Sequence, residues 1–216
     1  MADYTVVHMG DTALLVEFGG GDMLAANRRV LALHRALSQR RLPGLLDLTP
    51  AYRTLLVVFD PLQWPPASAL DDVWRLASQV DEGEARAGRL VELPVRYGGE
   101  DGPDLADVAR HTGLSEAEVV ARHAAVEYLV LFIGFMPGFP YLWGLDPSLT
   151  TPRLAIPRRQ VPAGSVGIGG DQTGVYPTVS PGGWRLIGRT TQTLYDPRVD
   201  PPTLLRAGDR VRFRVL

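Results

Sequence analysis

Residues 161–190 read VPAGSVGIGGDQTGVYPTVSPGGWRLIGRT, and this stretch decides the fold. Glycine and proline recur every few residues, which excludes a helix interior. Between them lie short β-compatible pieces at 165–168, 174–176 and 184–189. Many short strands separated by Gly/Pro turns indicate a barrel or a sandwich. Working outward, the same texture begins at Gly134, and a further short strand is expected at 193–195. The last segment, 209–216, alternates with Val211, Phe213 and Val215 on one face, as a half-buried strand does.

Upstream, 89–97 reads as a strand and 127–135 as a strong one, with Tyr128 to Ile133 almost wholly apolar. Two short helices are expected between them, over 104–111 and 115–125. The second opens with Ser115-x-x-Glu118, a capping-box pattern. The first eighty residues differ. A hairpin turns at Gly10-Asp11, and Asp22 can cap a helix to about Arg40 with Met23, Ala26, Val30, Leu33 and Leu37 on one face. Strands follow at 45–48 and 53–59, then a helix at 68–80 with Leu70, Val73, Trp74 and Ala77 inward. This part reads as a small α+β sandwich, helices on one face of an antiparallel sheet. The polar run Asp81-Glu82-Gly83-Glu84 marks the boundary, giving domains 1–84 and 85–216.

Composition removes whole classes of chemistry. There is no cysteine, hence no disulfide, thiolate catalysis or Cys-ligated metal. There is no lysine either, hence no Schiff base and no P-loop. Four histidines, at 8, 34, 111 and 123, are too scattered to suggest a metal site. No apolar run is long enough to cross a bilayer, and the first residues show neither a basic n-region nor an apolar core, so no membrane association and no secretory leader are expected. The cytoplasm is the expected location.

The net charge of −2 hides an asymmetry. Residues 1–150 carry 12 Arg against 20 Asp+Glu, and residues 151–216 carry 10 Arg against 4 Asp. The basic third suggests an anionic ligand such as a carboxylate. The arginines are scattered rather than grouped with exposed aromatics, so nucleic acid is not expected as a partner.

Two stretches carry candidate chemistry. In 132–142, Gly134, Pro137, Gly138 and Pro140 make a rigid loop bearing Phe135, Phe139 and Tyr141, which suits a pocket wall. In 161–190, Gln172, Tyr176 and Arg185 stand among glycines whose amides can donate to an anion or an oxyanion. His123 and Glu127, four apart, are a candidate acid–base pair; a histidine merely placed by the helix dipole is the alternative. Two motifs nearly match and fail: 163–167 lacks the first glycine of G-x-S-x-G, and Gln172 replaces the third glycine of a dinucleotide fingerprint.

GFMPGFPYLWGLDPSLTTPR (134–153) followed by RRQVPAGSVGIGGDQTGVYPTVSPGGWRLIGRT (158–190) resembles the KipI / allophanate-hydrolase-subunit-1 family, also called carboxyltransferase subdomain C/D. The family's best-defined members are B subunits of bacterial ATP-dependent 5-oxoprolinases. The resemblance implies an α+β chain, with a small ferredoxin-like α/β N-terminal domain followed by a cyclophilin-like β-barrel. It implies a KipA-like (PxpC-like) partner subunit, a LamB/YcsF-like (PxpA-like) subunit, and a part in opening 5-oxo-L-proline to L-glutamate. ATP, with magnesium, is then expected in the assembled complex, with no cofactor or metal held by this chain alone and no activity from it alone. Other members imply alternatives: a KipI-type inhibitor of a sensor histidine kinase, or a urea carboxylase/allophanate hydrolase subunit. For lactam hydrolysis the candidate catalytic residues are His123 as proton relay and Gln172 as carbonyl orienter. Arg185, or Arg158 with Arg159, is expected to hold the substrate carboxylate, and Phe135, Phe139 and Tyr176 to line its pocket. Trp143 stands where the family commonly has glycine, and is expected to narrow the pocket or alter a partner contact.

Overall fold

The computed structural model describes residues 3–81 and 88–216, so the expected boundary at 84/85 lies outside the described residues. The chain divides into two compact units, Met1–Arg86 and Ala87–Leu216.

The first unit runs β1 (Tyr4–His8), β2 (Ala13–Phe18), α1 (Met23–Arg40), β3 (Leu45–Pro50), β4 (Thr54–Phe59) and α2 (Pro66–Ala77). The sheet order is β1-β2-β4-β3, antiparallel throughout. This is a ferredoxin-like sandwich whose final edge strand comes from the start of the chain. Alternation sets the buried face: Leu14, Val16 and Phe18 of β2 and Leu55, Val57 and Phe59 of β4 all point into one core with Val30, Leu33 and Leu37 of α1. The α1 start is as read, with Asp22 accepting from the Leu24 amide at 3.0 Å. One expectation fails. Trp74 is not inward but 51% exposed. The buried stripe of α2 is Ala69, Val73, Leu76 and Ala77, and position 74 lies 100° past Val73, on its margin. There the indole packs against Tyr4, ring centroids 5.7 Å apart.

The second unit runs β5 (Leu90–Tyr97), α3 (Leu105–Thr112), α4 (Glu116–Ala124), β6 (Glu127–Ile133), β7 (Pro140–Trp143), β8 (Arg158–Val161), β9 (Ser165–Gly169), β10 (Gln172–Val175), β11 (Ser180–Gly182), β12 (Arg185–Arg189) and β13 (Arg210–Val215). Seven strands close into a barrel in the order β10-β7-β6-β13-β5-β12-β9, with β8 and β11 pairing outside it. Its first and last strands pair in parallel, Leu90 opposite Arg210 through Val95 opposite Val215; the other barrel pairs are antiparallel. The chain is thus α+β with a closed barrel. The Ser115–Glu118 capping box is present and fixes the start of α4.

Strand β13 shows how the basic excess is used. Val211 and Phe213 enter the core, while Arg210, Arg212 and Arg214 point outward. Arg210 meets Glu127 at 2.8 Å, Arg212 meets Glu127, and Arg214 meets Glu92 at 3.3 Å. Two expectations are corrected here, and two strands are added that the sequence did not show. Residues 193–195 form no strand beyond a single bridge from Tyr195 to Thr203. The rigid loop after β6 ends sooner than read, because Pro140 opens β7. Strands β8 and β11 fall in segments whose prolines mask their pairing. Among the described residues no helix is long and apolar enough to cross a membrane.

Candidate functional site

A cavity of about 300 Å³ opens on the barrel between the two motif segments. The first segment builds one wall. After β6 the chain turns tightly: the Met136 amide donates to Gly134 O at 2.6 Å, and the Phe139 amide to Met136 O at 3.1 Å. Phe135 takes up a left-handed φ of 63°, costly for a bulky residue, and it stays 62% exposed at the rim. Phe139 is buried and central. It meets Phe135, Tyr141, Tyr176 and Trp184 edge-to-face at centroid distances of 5.2–5.5 Å.

The second segment supplies Tyr176 and Trp184 to the opposite wall, with Gly182 and Gly183 between them. The glycines of 167–174 do not line an open anion nest as expected. Gly167, Gly169 and Gly174 lie in β9 and β10, paired Gly169 to Gln172 and Gly167 to Gly174, and their missing side chains make room for Trp184. A Cβ on Gly169 would come within 2.6 Å of that ring, and one on Gly174 within 3.1 Å. Burial pushes the Tyr176 phenol above its usual range, against the opposing pull of the Trp184 amide, Arg153 and Arg158. Tyr176 is therefore a protonated hydroxyl beside the cavity at neutral pH.

Of the residues singled out in the sequence, Phe135, Phe139, Tyr141 and Tyr176 are brought together around this cavity, and the others, Arg159 among them, are not. Arg158 pairs with the buried Asp104 at 2.6 Å, and Asp104 also accepts from the Leu186 amide at 2.7 Å. Arg185 pairs with Asp107 at 3.2 Å and donates to Pro152 O. Gln172 is buried on β10 opposite Gly169. His123 is wholly buried in the barrel core, stacked on Phe213 at 4.7 Å. Its Nδ1 faces the Tyr97 hydroxyl at 2.8 Å and its Nε2 the Thr173 hydroxyl at 2.9 Å. Burial pushes its pKa down to about 3. Glu127 is engaged with Arg210 and Arg212, so the two do not form an acid–base pair. Trp143 lines a different cavity, with Asp146 and Asp171, and does not narrow the aromatic one.

The cationic group that reaches the aromatic cavity is Arg153, which sequence reasoning missed. Its guanidinium lies 5.6 Å from the Trp184 ring centroid and forms no ion pair among the described residues. The signal for it is position: Arg153 is the last residue of the first motif, directly after Pro152, on an exposed loop. Counting partners finds it only with coordinates, because Arg158, Arg185, Arg198, Arg210, Arg212 and Arg214 are all ion-paired.

Residues 4–205 match the family described as carboxyltransferase domain, subdomain C and D. The chain is 49% identical over 207 residues to the B subunit of 5-oxoprolinase from Escherichia coli O157:H7, covering 95% of this chain and 93% of that one. It is 41% identical to the B subunit of 5-oxoprolinase from Bacillus subtilis, covering 97% and 92%. The crystal structure of TTHA0988 superposes with a TM-score of 0.82 at 43% identity, over 95% of this chain but only 40% of that longer one. The chain belongs to the carboxyltransferase subdomain C and D family.

Proposed function

We propose that this chain acts as the B subunit of an ATP-dependent 5-oxoprolinase, helping to hydrolyse the C–N lactam bond of 5-oxo-L-proline to give L-glutamate. The observation that carries the reading is Arg153, without an ion pair among the described residues at an aromatic cavity, in a chain so similar to two proteins of that name. 5-Oxoproline is a small, nearly flat ring with one carboxylate. Phe135, Phe139 and Trp184 offer apolar faces to the ring, and the Arg153 fork takes the carboxylate in a bidentate contact. Tyr176, held protonated, donates to the lactam carbonyl or to the oxygen on which charge develops as water adds. The nitrogen leaves with a proton, which these side chains do not supply.

A cavity with apolar walls and one guanidinium suits a small monoanion better than a triphosphate with its metal. The nucleotide is accordingly assigned to the assembled enzyme. Partner subunits, KipA-like and LamB/YcsF-like, complete the site. The greater length of TTHA0988, of which this chain matches 40%, supports a fold made to work beside further polypeptide.

The test is glutamate release from 5-oxoproline and ATP by the purified chain, by the partners, and by the three together. Turnover is expected only from the combination. Activity of the isolated chain, or none from the full set, overturns the reading.

A further inference from the structure

A second cavity, of about 500 Å³, shares no residue with the aromatic one. Its lining includes Arg96, Arg189, Thr190, Thr191, Gln192 and Thr193, and no carboxylate. The two arginines are directly opposed in the antiparallel β5–β12 ladder. Such partners project to the same face, and like charges there repel. Arg96 is relieved at Nε by Asp101, 2.7 Å away. Arg189 has no carboxylate partner among the described residues: its Nε donates to Ala163 O at 2.9 Å, and its two terminal nitrogens have no acceptor among them either. One carboxylate therefore faces two guanidiniums, leaving a surplus positive charge over a polar hollow.

The frame around that hollow is fixed. The Gly164 amide donates to Tyr176 O at 2.7 Å, the Thr190 amide to Gly164 O at 2.9 Å, and the Gln192 amide to Thr190 Oγ1 at 3.2 Å. Gly164 holds a φ of 82°, and a Cβ there would run into the Thr190 carbonyl, so only glycine lets the two loops meet. The amides of Thr191 and Thr193 have no partner among the described residues.

We propose that this cavity binds a phosphate-type oxyanion. A tetrahedral dianion presents enough acceptor oxygens for two guanidinium forks and the threonine hydroxyls together, and its charge offsets the Arg96–Arg189 repulsion that the β5–β12 register imposes. The source is free phosphate or the phosphate tail of a nucleotide. This site is independent of the oxoprolinase reading, and either can fail alone.

The test is calorimetric titration of the isolated chain with inorganic phosphate and, separately, with ADP, at constant ionic strength. Saturable phosphate binding is expected. Arg189→Gln should weaken it about tenfold or more, as loss of a charge-assisted contact implies. Arg189 is exposed, and the melting temperature without phosphate checks that the variant folds. Arg153→Gln, in the other cavity, should leave phosphate affinity unchanged. ADP binding more tightly than phosphate, with the same dependence on Arg189, identifies the nucleotide tail as the source; equal affinities identify free phosphate. Absence of saturable phosphate binding, or equal affinity in Arg189→Gln, overturns the proposal.

Discussion

The Thr173 hydroxyl lies 2.9 Å from His123 Nε2 and donates to Gly167 O at 3.0 Å. That donation fixes the rest of the chain of hydrogen bonds. With its one proton committed to Gly167, the hydroxyl can only accept from His123, so Nε2 carries the imidazole proton. Nδ1 then accepts from the Tyr97 hydroxyl at 2.8 Å. Both ring nitrogens are occupied inside the core. The ring ties α4 to β5 and β10, and a neutral imidazole does this without a buried charge.

Stability should record that neutrality. The unfolded chain takes up a proton on His123 near pH 6.5, the folded chain only near 3. Its contribution is therefore full above about pH 6.5 and falls by about 1.4 kcal/mol for each pH unit below that, down to the folded value. Urea titrations of the wild type at pH 7 and pH 5 should differ by this extra slope, and His123→Gln should lack it. Equal slopes in both proteins would show that His123 already titrates when folded.

Asp104 joins three segments: it takes Arg158 from β8 and the Leu186 amide from β12, and its own amide donates to Leu186 O at 2.8 Å. Asp104→Ala strands a largely buried guanidinium and a buried N–H, at a cost of about 3 kcal/mol. Asp104→Asn keeps one acceptor and should cost less. Denaturant midpoints of the two variants check the order, and an alanine variant as stable as wild type would remove Asp104 as the fixing point for β8.

Helix caps and alternating strands are local physics, so Asp22, Ser115–Glu118 and the inward Val211 and Phe213 are legible from spacing alone. Trp74 escapes such reading because a helix stripe has soft margins, where bulk does not imply burial. The arginines escape it for a different reason. Which guanidinium is free depends on where Asp104 and Asp107 fall in three dimensions, 54 and 78 residues from their partners. Glycines likewise signal close approach without saying what approaches; here it is the side chain of Trp184.

Gly169 makes that last point measurable. An alanine there puts a methyl group 2.6 Å from the indole of a tryptophan that is itself buried against Phe139. Overpacking of this kind costs about 1–3 kcal/mol. Gly169→Ala should lower stability by that amount and shift the tryptophan fluorescence, whereas Gly170→Ala, with open space at its Cβ but a φ of 71°, should suffer only backbone strain and leave the fluorescence alone. A fluorescence change of equal size in both would mean that Trp184 does not rest on Gly169.

Arg153 carries the sharpest expectation for activity. If Arg153 holds the substrate carboxylate as proposed, Arg153→Gln in the reconstituted complex removes a contact to a group that is unchanged between ground and transition state. Such uniform binding affects KM more than kcat. A rise in KM for 5-oxoproline of about tenfold or more is expected from losing one charge-assisted pair, with kcat nearly unchanged. Arg153→Lys keeps the charge but not the fork, and should fall between. Arg185→Gln breaks the pair with Asp107 instead and should appear chiefly as lost stability. If Arg185→Gln raises KM while Arg153→Gln leaves it alone, the carboxylate lies on the Asp107 side of the barrel, and the aromatic cavity is not where the lactam binds.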